Sequence, residues 1–226
     1  FAAGRALDIG MWGIPLTIFW LVLITNAMNL LDGLDGLAAG VSCIISLTIF
    51  FIALYQKNDL VMALSMSLAG ATIGFLRYNF NPAKIFMGDA GSLFLGFTLA
   101  CISIKGSQKS ATTVAFLIPV IAMGLPIIDT LLAIVRRFLN GKNIFKADNE
   151  HIHHKLIKIG LTQRRAVLIL YSVSICLGLI AFLFTIIKNE YVAVILFIVA
   201  AIVFVGIKSL SPIIPKGAKH KNSNNE

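Results

Sequence analysis

Apolar and polar residues do not alternate along this chain. The apolar residues gather into long blocks, and the polar residues collect between them. Seven blocks stand out: Ile9–Thr25, Leu37–Tyr55, Leu60–Leu76, Leu93–Ile104, Thr113–Val135, Ala166–Ile187 and Tyr191–Ile207. Most approach the roughly 20 residues that an α-helix needs to cross the hydrocarbon core of a bilayer. Backbone amides in lipid must find their partners within the segment, so such blocks read as helices. The predicted fold is all-α: a polytopic helical membrane protein with about seven transmembrane helices. The fourth block is short. Phe86 and Met87 could lengthen it, which leaves Asp89 near its mouth. In the third block, Gly70-x-x-x-Gly74 is a small-residue pattern that lets another helix approach closely.

Composition agrees with that pattern. Apolar residues make up 58% of the chain and charged residues 13%, about half the charge of a soluble domain. A cleavable leader has one short apolar stretch, which many spread blocks do not resemble. The chain starts at Phe1 close to its first block, and we expect it to be a fragment of something longer. Cys43, Cys101 and Cys176 all lie inside apolar blocks, without metal-ligand or redox spacing. They read as core or lipid-facing residues.

Charge changes the picture by giving the chain a direction. If every block spans, Asn26–Gly36, Arg77–Ser92, Arg136–Arg165 and the tail from Lys208 share one side of the membrane. That side holds most of the 19 Lys and Arg residues, so the positive-inside rule makes it cytoplasmic. The net charge of +9 suits anionic headgroups and an anionic substrate such as a nucleotide or a phosphate. The segments between blocks are too short for an independent domain. We read residues 1–226 as one membrane domain with a polar cytoplasmic tail at 208–226.

Three polar segments could carry chemistry, and all fall on that side. The first is Asn26-x-x-Asn29-x-x-Asp32-Gly33-x-Asp35-Gly36. Spacings of three keep its oxygen-bearing groups near one helix face if the first helix continues, and the glycines would end that helix. Such ligands suit Mg²⁺, which takes oxygen donors and shares its shell with substrate phosphates. A polar turn is the weaker reading. The second is Met87-Gly88-Asp89-Ala-Gly91-Ser92, running into an apolar block. It reads equally as a helix cap or as an anion site with a metal-binding carboxylate. The third holds His151, His153 and His154. It lacks zinc spacing, so phosphate binding or proton handling is the better reading, with a solvated loop as the bland alternative. Lys155, Lys158, Arg164 and Arg165 are candidates to hold a diphosphate. Asp129 is a carboxylate deep in an apolar block, one turn after Pro126. Such a group is a functional candidate by default, or it pairs with Arg136 and Arg137.

In order along the chain, Asn26-x-x-Asn29-x-x-Asp32-Gly-x-Asp35-Gly, Met87-Gly-Asp89-x-Gly-Ser92, Pro126-x-x-Asp129-Thr and Ala147-Asp148-x-x-His151-x-His153-His154-x-Leu156 resemble the polyprenyl-phosphate N-acetylhexosamine-1-phosphate transferases. The His-x-His-His form is more similar to the bacterial branch that uses UDP-N-acetylglucosamine. The resemblance implies transfer of a sugar 1-phosphate from a UDP-sugar to undecaprenyl phosphate, with release of UMP, at the cytoplasmic face of the cell membrane in envelope glycan synthesis. It implies Mg²⁺ held by Asp89 and Asn29, and catalytic roles for Asp32, Asp35 and Asp89. Substrate contacts are expected from Asn26, Asp129, Arg136, Arg137, His151, His153 and His154. The expected partners are a UDP-sugar, undecaprenyl phosphate and the bilayer, with a homodimer as the one assembly considered and no nucleic acid. The family carries an Asp-Asp motif and further spans ahead of where this chain begins. We therefore expect the chain to be the C-terminal two-thirds of the family fold. Rival readings are transfer of phospho-N-acetylmuramoyl-pentapeptide, a secondary transporter, and a membrane scaffold.

Overall fold

The computed structural model describes residues 10–107, 113–139 and 151–186, with the side chains of 113–116 and 138–139 excepted. Among the described residues the chain is helical throughout. After a short 3-10 turn at Gly10–Trp12 come α1 (Gly13–Leu31), α2 (Leu37–Tyr55), α3 (Asp59–Asn79), α4 (Gly88–Ser107), α5 (Thr113–Ala122), α6 (Gly124–Leu139), α7 (Ile152–Lys158) and α8 (Gln163–Ile186). All belong to one compact unit, Phe1–Ile186.

Among the described residues five helices are long and apolar enough to cross a membrane: α1 with its leading turn, α2, α3, α4 and α8. The fourth predicted block becomes a full-length helix of 20 residues. It begins at Gly88, so Phe86 and Met87 stand outside it and Asp89 lies in its first turn. The expected count of about seven is corrected for the fifth block. That block is two helices separated at Met123, with Pro119 inside the first and Pro126 in the opening turn of the second. Proline removes a backbone donor and crowds the preceding turn; Met123 still donates to Pro119 O at 3.0 Å and accepts from the Ile127 amide at 3.2 Å, so the backbone bonding is thinned at the break and not lost. The seventh block, Tyr191–Ile207, lies outside the described residues.

α2 is the centre of the bundle. It packs against α3, α8, α4 and α5, and 67% of its apolar window is buried, against 28% in α1 and in α3. A helix that is apolar all round belongs in such a position. Leu37, Ala38, Val41, Ile45 and Ile49 carry its core contacts. α1 lies along α4. Their backbones meet at Gly96, where a Cβ would stand 2.7 Å from Thr25 Cα and 2.9 Å from Ile24 O. Trp20 Nε1 donates to Ser103 Oγ at 3.0 Å inside the same contact.

The outward faces are apolar. Ile18, Phe19, Phe51, Leu64, Ile73, Phe94, Phe97, Leu179 and Leu183 are all exposed. A water-soluble monomer rarely displays apolar surface on that scale, whereas lipid is a good solvent for it. Gly70 and Gly74 lie on such a face. Nothing comes within 4 Å of a Cβ placed at either, so the close approach expected there is not made by any described residue.

Candidate functional site

The segment between α1 and α2 is the core of the site. α1 ends at Leu31, with the Asp32 amide donating to Asn29 O at 3.2 Å. The chain turns at once and re-enters a helix after Gly36, whose φ of +80° favours glycine. The helix thus stops before Asp35, and the evenly spaced acids do not stay on one face.

Asn29 and Asp32 turn toward the start of α4. Asn29 Nδ2 donates to Asp89 Oδ1 at 3.1 Å and to Ser92 Oγ at 2.9 Å. Ser92 is fully buried and also bonds back to Gly88 O and Asp89 O. The Asp32 carboxyl is pushed up to about 6, first by burial and then by the Asp89 charge. A carboxylate whose charge raises the proton affinity of its neighbour makes a place where a cation is favoured. The donors here are carboxylate oxygens and an amide. Because the Asn29 nitrogen is spent on Asp89 and Ser92, its carbonyl oxygen is left for a ligand. Among the described residues no three His, Cys, Asp or Glu side chains form a metal cluster. Mg²⁺ does not need one, since it binds through one or two carboxylates and keeps water or phosphate for the rest. The residues therefore fit that ion.

Asp35 takes a different direction. Its Oδ2 accepts from Asn81 Nδ2 at 3.0 Å and from the Ala83 amide at 3.1 Å. Asn81 also donates to Gln163 Oε1 at 2.9 Å, and Arg164 Nε donates to Asn81 O at 2.9 Å. Asn79, buried at 3% exposure, accepts from the Gly36 amide and donates to Ile85 O. From α8, Tyr171 donates to Gly36 O at 2.6 Å. The α1–α2 turn, the α3–α4 loop and the start of α8 are therefore bonded together at one end of the bundle. Asn79, Asn81, Gln163 and Tyr171 were not singled out from sequence. Nothing in a single chain separates such an Asn from an ordinary turn residue.

The His segment joins this end. His153 is 1% exposed, and its ring lies against Gly33. A Cβ at Gly33 would fall inside contact distance of His153 Nε2, so the turn needs glycine for the close approach. Neither ring nitrogen of His153 has a hydrogen-bond partner among the described residues. Burial first, then the neighbouring His154, holds its pKa down at about 4, so the ring is neutral at pH 7. The His151 and His153 rings lie nearly parallel, 5.7 Å apart, and His154 is 4.2 Å from His153. Asp129, 2% exposed, bonds to His151 and to the Ile152 amide.

One expected contributor, Asn26, does not join these contacts among the described residues. Asn26 is exposed and donates to Val22 O in its own helix at 2.8 Å. Arg136 and Arg137 lie in the last turn of α6, with Arg137 buried. Ala147 and Asp148 lie outside the described residues.

These features define a class: a polytopic helical membrane protein with an acidic and histidine-rich site at one end of its bundle. The model of glycosyl transferase family 4 matches residues 2–107. The chain is 50% identical over 167 residues to a probable undecaprenyl-phosphate N-acetylglucosaminyl 1-phosphate transferase of Bacillus subtilis (strain 168), covering 74% of this chain and 47% of that one. It is 41% identical over 227 residues to a decaprenyl-phosphate N-acetylglucosaminephosphotransferase of Mycobacterium tuberculosis (strain CDC 1551 / Oshkosh), covering 90% and 55%. It is 39% identical over 181 residues to a phospho-N-acetylmuramoyl-pentapeptide-transferase of Enterococcus hirae, covering 80% and 54%. The chain belongs to glycosyl transferase family 4, and it spans about half the length of the curated relatives it matches.

Proposed function

We propose that the full-length protein moves N-acetylglucosamine 1-phosphate from UDP-N-acetylglucosamine to undecaprenyl phosphate and releases UMP, at the cytoplasmic face of the cell membrane. The observation that carries this reading is the meeting of Asn29, Asp32, Asp89 and Ser92 beside α7, which bears His153 and His154 and is capped by His151. Relatives at 41–50% identity bear names of that activity.

In the reaction, an oxygen of the lipid phosphate attacks the phosphorus that carries the sugar. A new P–O–P bridge forms, and the bridge to UMP breaks. Such transfer depends mainly on positioning and charge stabilisation. Asp89 and Asn29 would hold Mg²⁺, which would supply positive charge to the diphosphate oxygens. Asp32, half-buried beside Asp89, orients the lipid phosphate or takes its last proton. That phosphate loses its second proton near pH 6, so little base strength is needed. Asp35 holds the turn that carries Asp32. The histidines meet the donor phosphates, with His153 acting as a neutral group. Arg136 and Arg137 add positive charge near the donor.

The first test supplies full-length protein in membranes with radiolabelled UDP-N-acetylglucosamine, undecaprenyl phosphate and Mg²⁺. Labelled lipid is expected, with its loss on chelation and in Asp89→Asn. The relatives named as muramoyl-pentapeptide transferases, at 37–39% identity, favour a second donor. Product formed only with UDP-N-acetylmuramoyl-pentapeptide would keep the family and replace the sugar. No UMP release with either donor would sink the reading.

A further inference from the structure

The buried carboxylate in α6 makes contacts that substrate binding does not explain. Asp129 spends both oxygens on the segment that opens α7. Oδ2 lies 3.0 Å from His151 Nδ1, and Oδ1 accepts the Ile152 amide at 2.8 Å. Ile152 is the first residue of α7, and its N–H is one of those a helix leaves unsatisfied at its start. His151, at the cap position, makes no side-chain cap bond of its own. The cap therefore comes from another helix, and it brings negative charge to the positive end of α7. With both oxygens engaged and 2% exposure, Asp129 has little left to offer a substrate.

We infer that Asp129 is a positioning residue: it anchors the start of α7 to α6 and sets the His151 ring so that Nδ1 carries hydrogen and Nε2 is left for a phosphate or a proton. An ionised carboxylate can only accept, so the nitrogen facing it must donate. The tie reaches further along α7. Two residues after His151, His153 lies against Gly33, and Gly33 follows Asp32. Holding α7 therefore also holds the turn that carries the acid pair.

The activity arm of the test rests on the proposed function; the spectroscopic arm does not. Full-length protein in membranes is compared with Asp129→Asn, His151→Gln and the double variant. An Asn at 129 can still accept the Ile152 amide. Its NH₂ would then face His151 and demand the opposite tautomer. We expect Asp129→Asn to lower kcat for UMP release about tenfold or more, the usual size for losing a group that orients a functional imidazole. In the His151→Gln background the same change should add no more than about twofold, because both act through one ring. Imidazole ¹⁵N spectra, with the His151 signals identified by their loss in His151→Gln, should show hydrogen on Nδ1 in the wild type and on Nε2 in Asp129→Asn. Full additivity in the double variant would overturn the inference. So would a wild-type His151 carrying its single hydrogen on Nε2, a result that needs no Asp129 variant to fold. If no donor gives UMP, the proposed function fails and the tautomer still decides this point.

Discussion

Asp32 and Asp35 are the same residue type three positions apart, and the structure gives them different work. Asp35 accepts two hydrogen bonds from the α3–α4 loop, whereas Asp32 faces Asp89 and holds its proton up to about pH 6. The sign follows from that shift. Between about pH 4 and pH 6 the folded chain keeps this proton and the unfolded chain has lost it. Asp32 therefore makes the fold less stable as pH rises through that window. Activity that needs the ionised form moves the other way and climbs as pH rises through about 6. Carboxyl ¹³C spectra of Asp32 should titrate with a midpoint near 6 when divalent ions are removed. Added Mg²⁺ should lower the midpoint, because a bound cation favours the charged form. A midpoint at the ordinary carboxylate value, or one that Mg²⁺ does not move, would separate this acid pair from a metal site.

At the scale of the element, the site is a junction of loops more than a property of any one helix. Asn81, in the α3–α4 loop, ties two other pieces to it: it donates to Asp35 of the α1–α2 turn and to Gln163 of α8, and its carbonyl accepts from Arg164 of α8. Asn81→Ala removes both side-chain donations and leaves Asp35 Oδ2 with only the Ala83 amide. An acceptor that loses its partner in a half-buried place costs about 1–3 kcal/mol. We expect a lower melting temperature in detergent and reduced UMP release. Unchanged melting and activity would show that the loop holds its shape by other means. The helices themselves were largely legible from sequence, since lipid demands long apolar blocks and five of them are single helices of span length. The break at Met123 was less visible, because Leu, Ile and Val continue on both sides of it and only Pro119 and Pro126 hint at the change. Clustering of Asn29, Asp32 and Asp89 was readable from motif order. The turn of Asp35 toward Asn81, and of Asp129 toward His151, was not. Those contacts join residues 46 and 22 positions apart, and no local pattern encodes such a pairing.

For the whole molecule, the bilayer decides what its ends mean. The polar end gathers the α1–α2 turn, the α3–α4 loop, α7 and the start of α8. At the opposite end a small cavity is lined by Ile52, Gln56, Val61, Ser103, Ser107 and Pro119. Lys and Arg favour the first end, and the proposed reading, which follows the positive-inside rule, has that end face the cytoplasm. A nucleotide-sugar made in the cytoplasm would then meet the acid pair without crossing the membrane, and the lipid phosphate would lie at the same depth. The orientation can be read with single cysteines in the full-length protein. Lys57→Cys reports on the turn between α2 and α3, and Lys158→Cys on the end of α7; both positions are exposed. The native Cys101 and Cys176 are exposed on helices of span length, α4 and α8, where hydrocarbon would exclude a charged maleimide, and Cys43 is buried. In intact cells a membrane-impermeant maleimide should label Lys57→Cys and spare Lys158→Cys, and inside-out vesicles should reverse the pattern. Labelling of Lys158→Cys from outside the cell would turn the molecule over. The donor would then have to be delivered to the outer face, which the proposed reaction does not provide for.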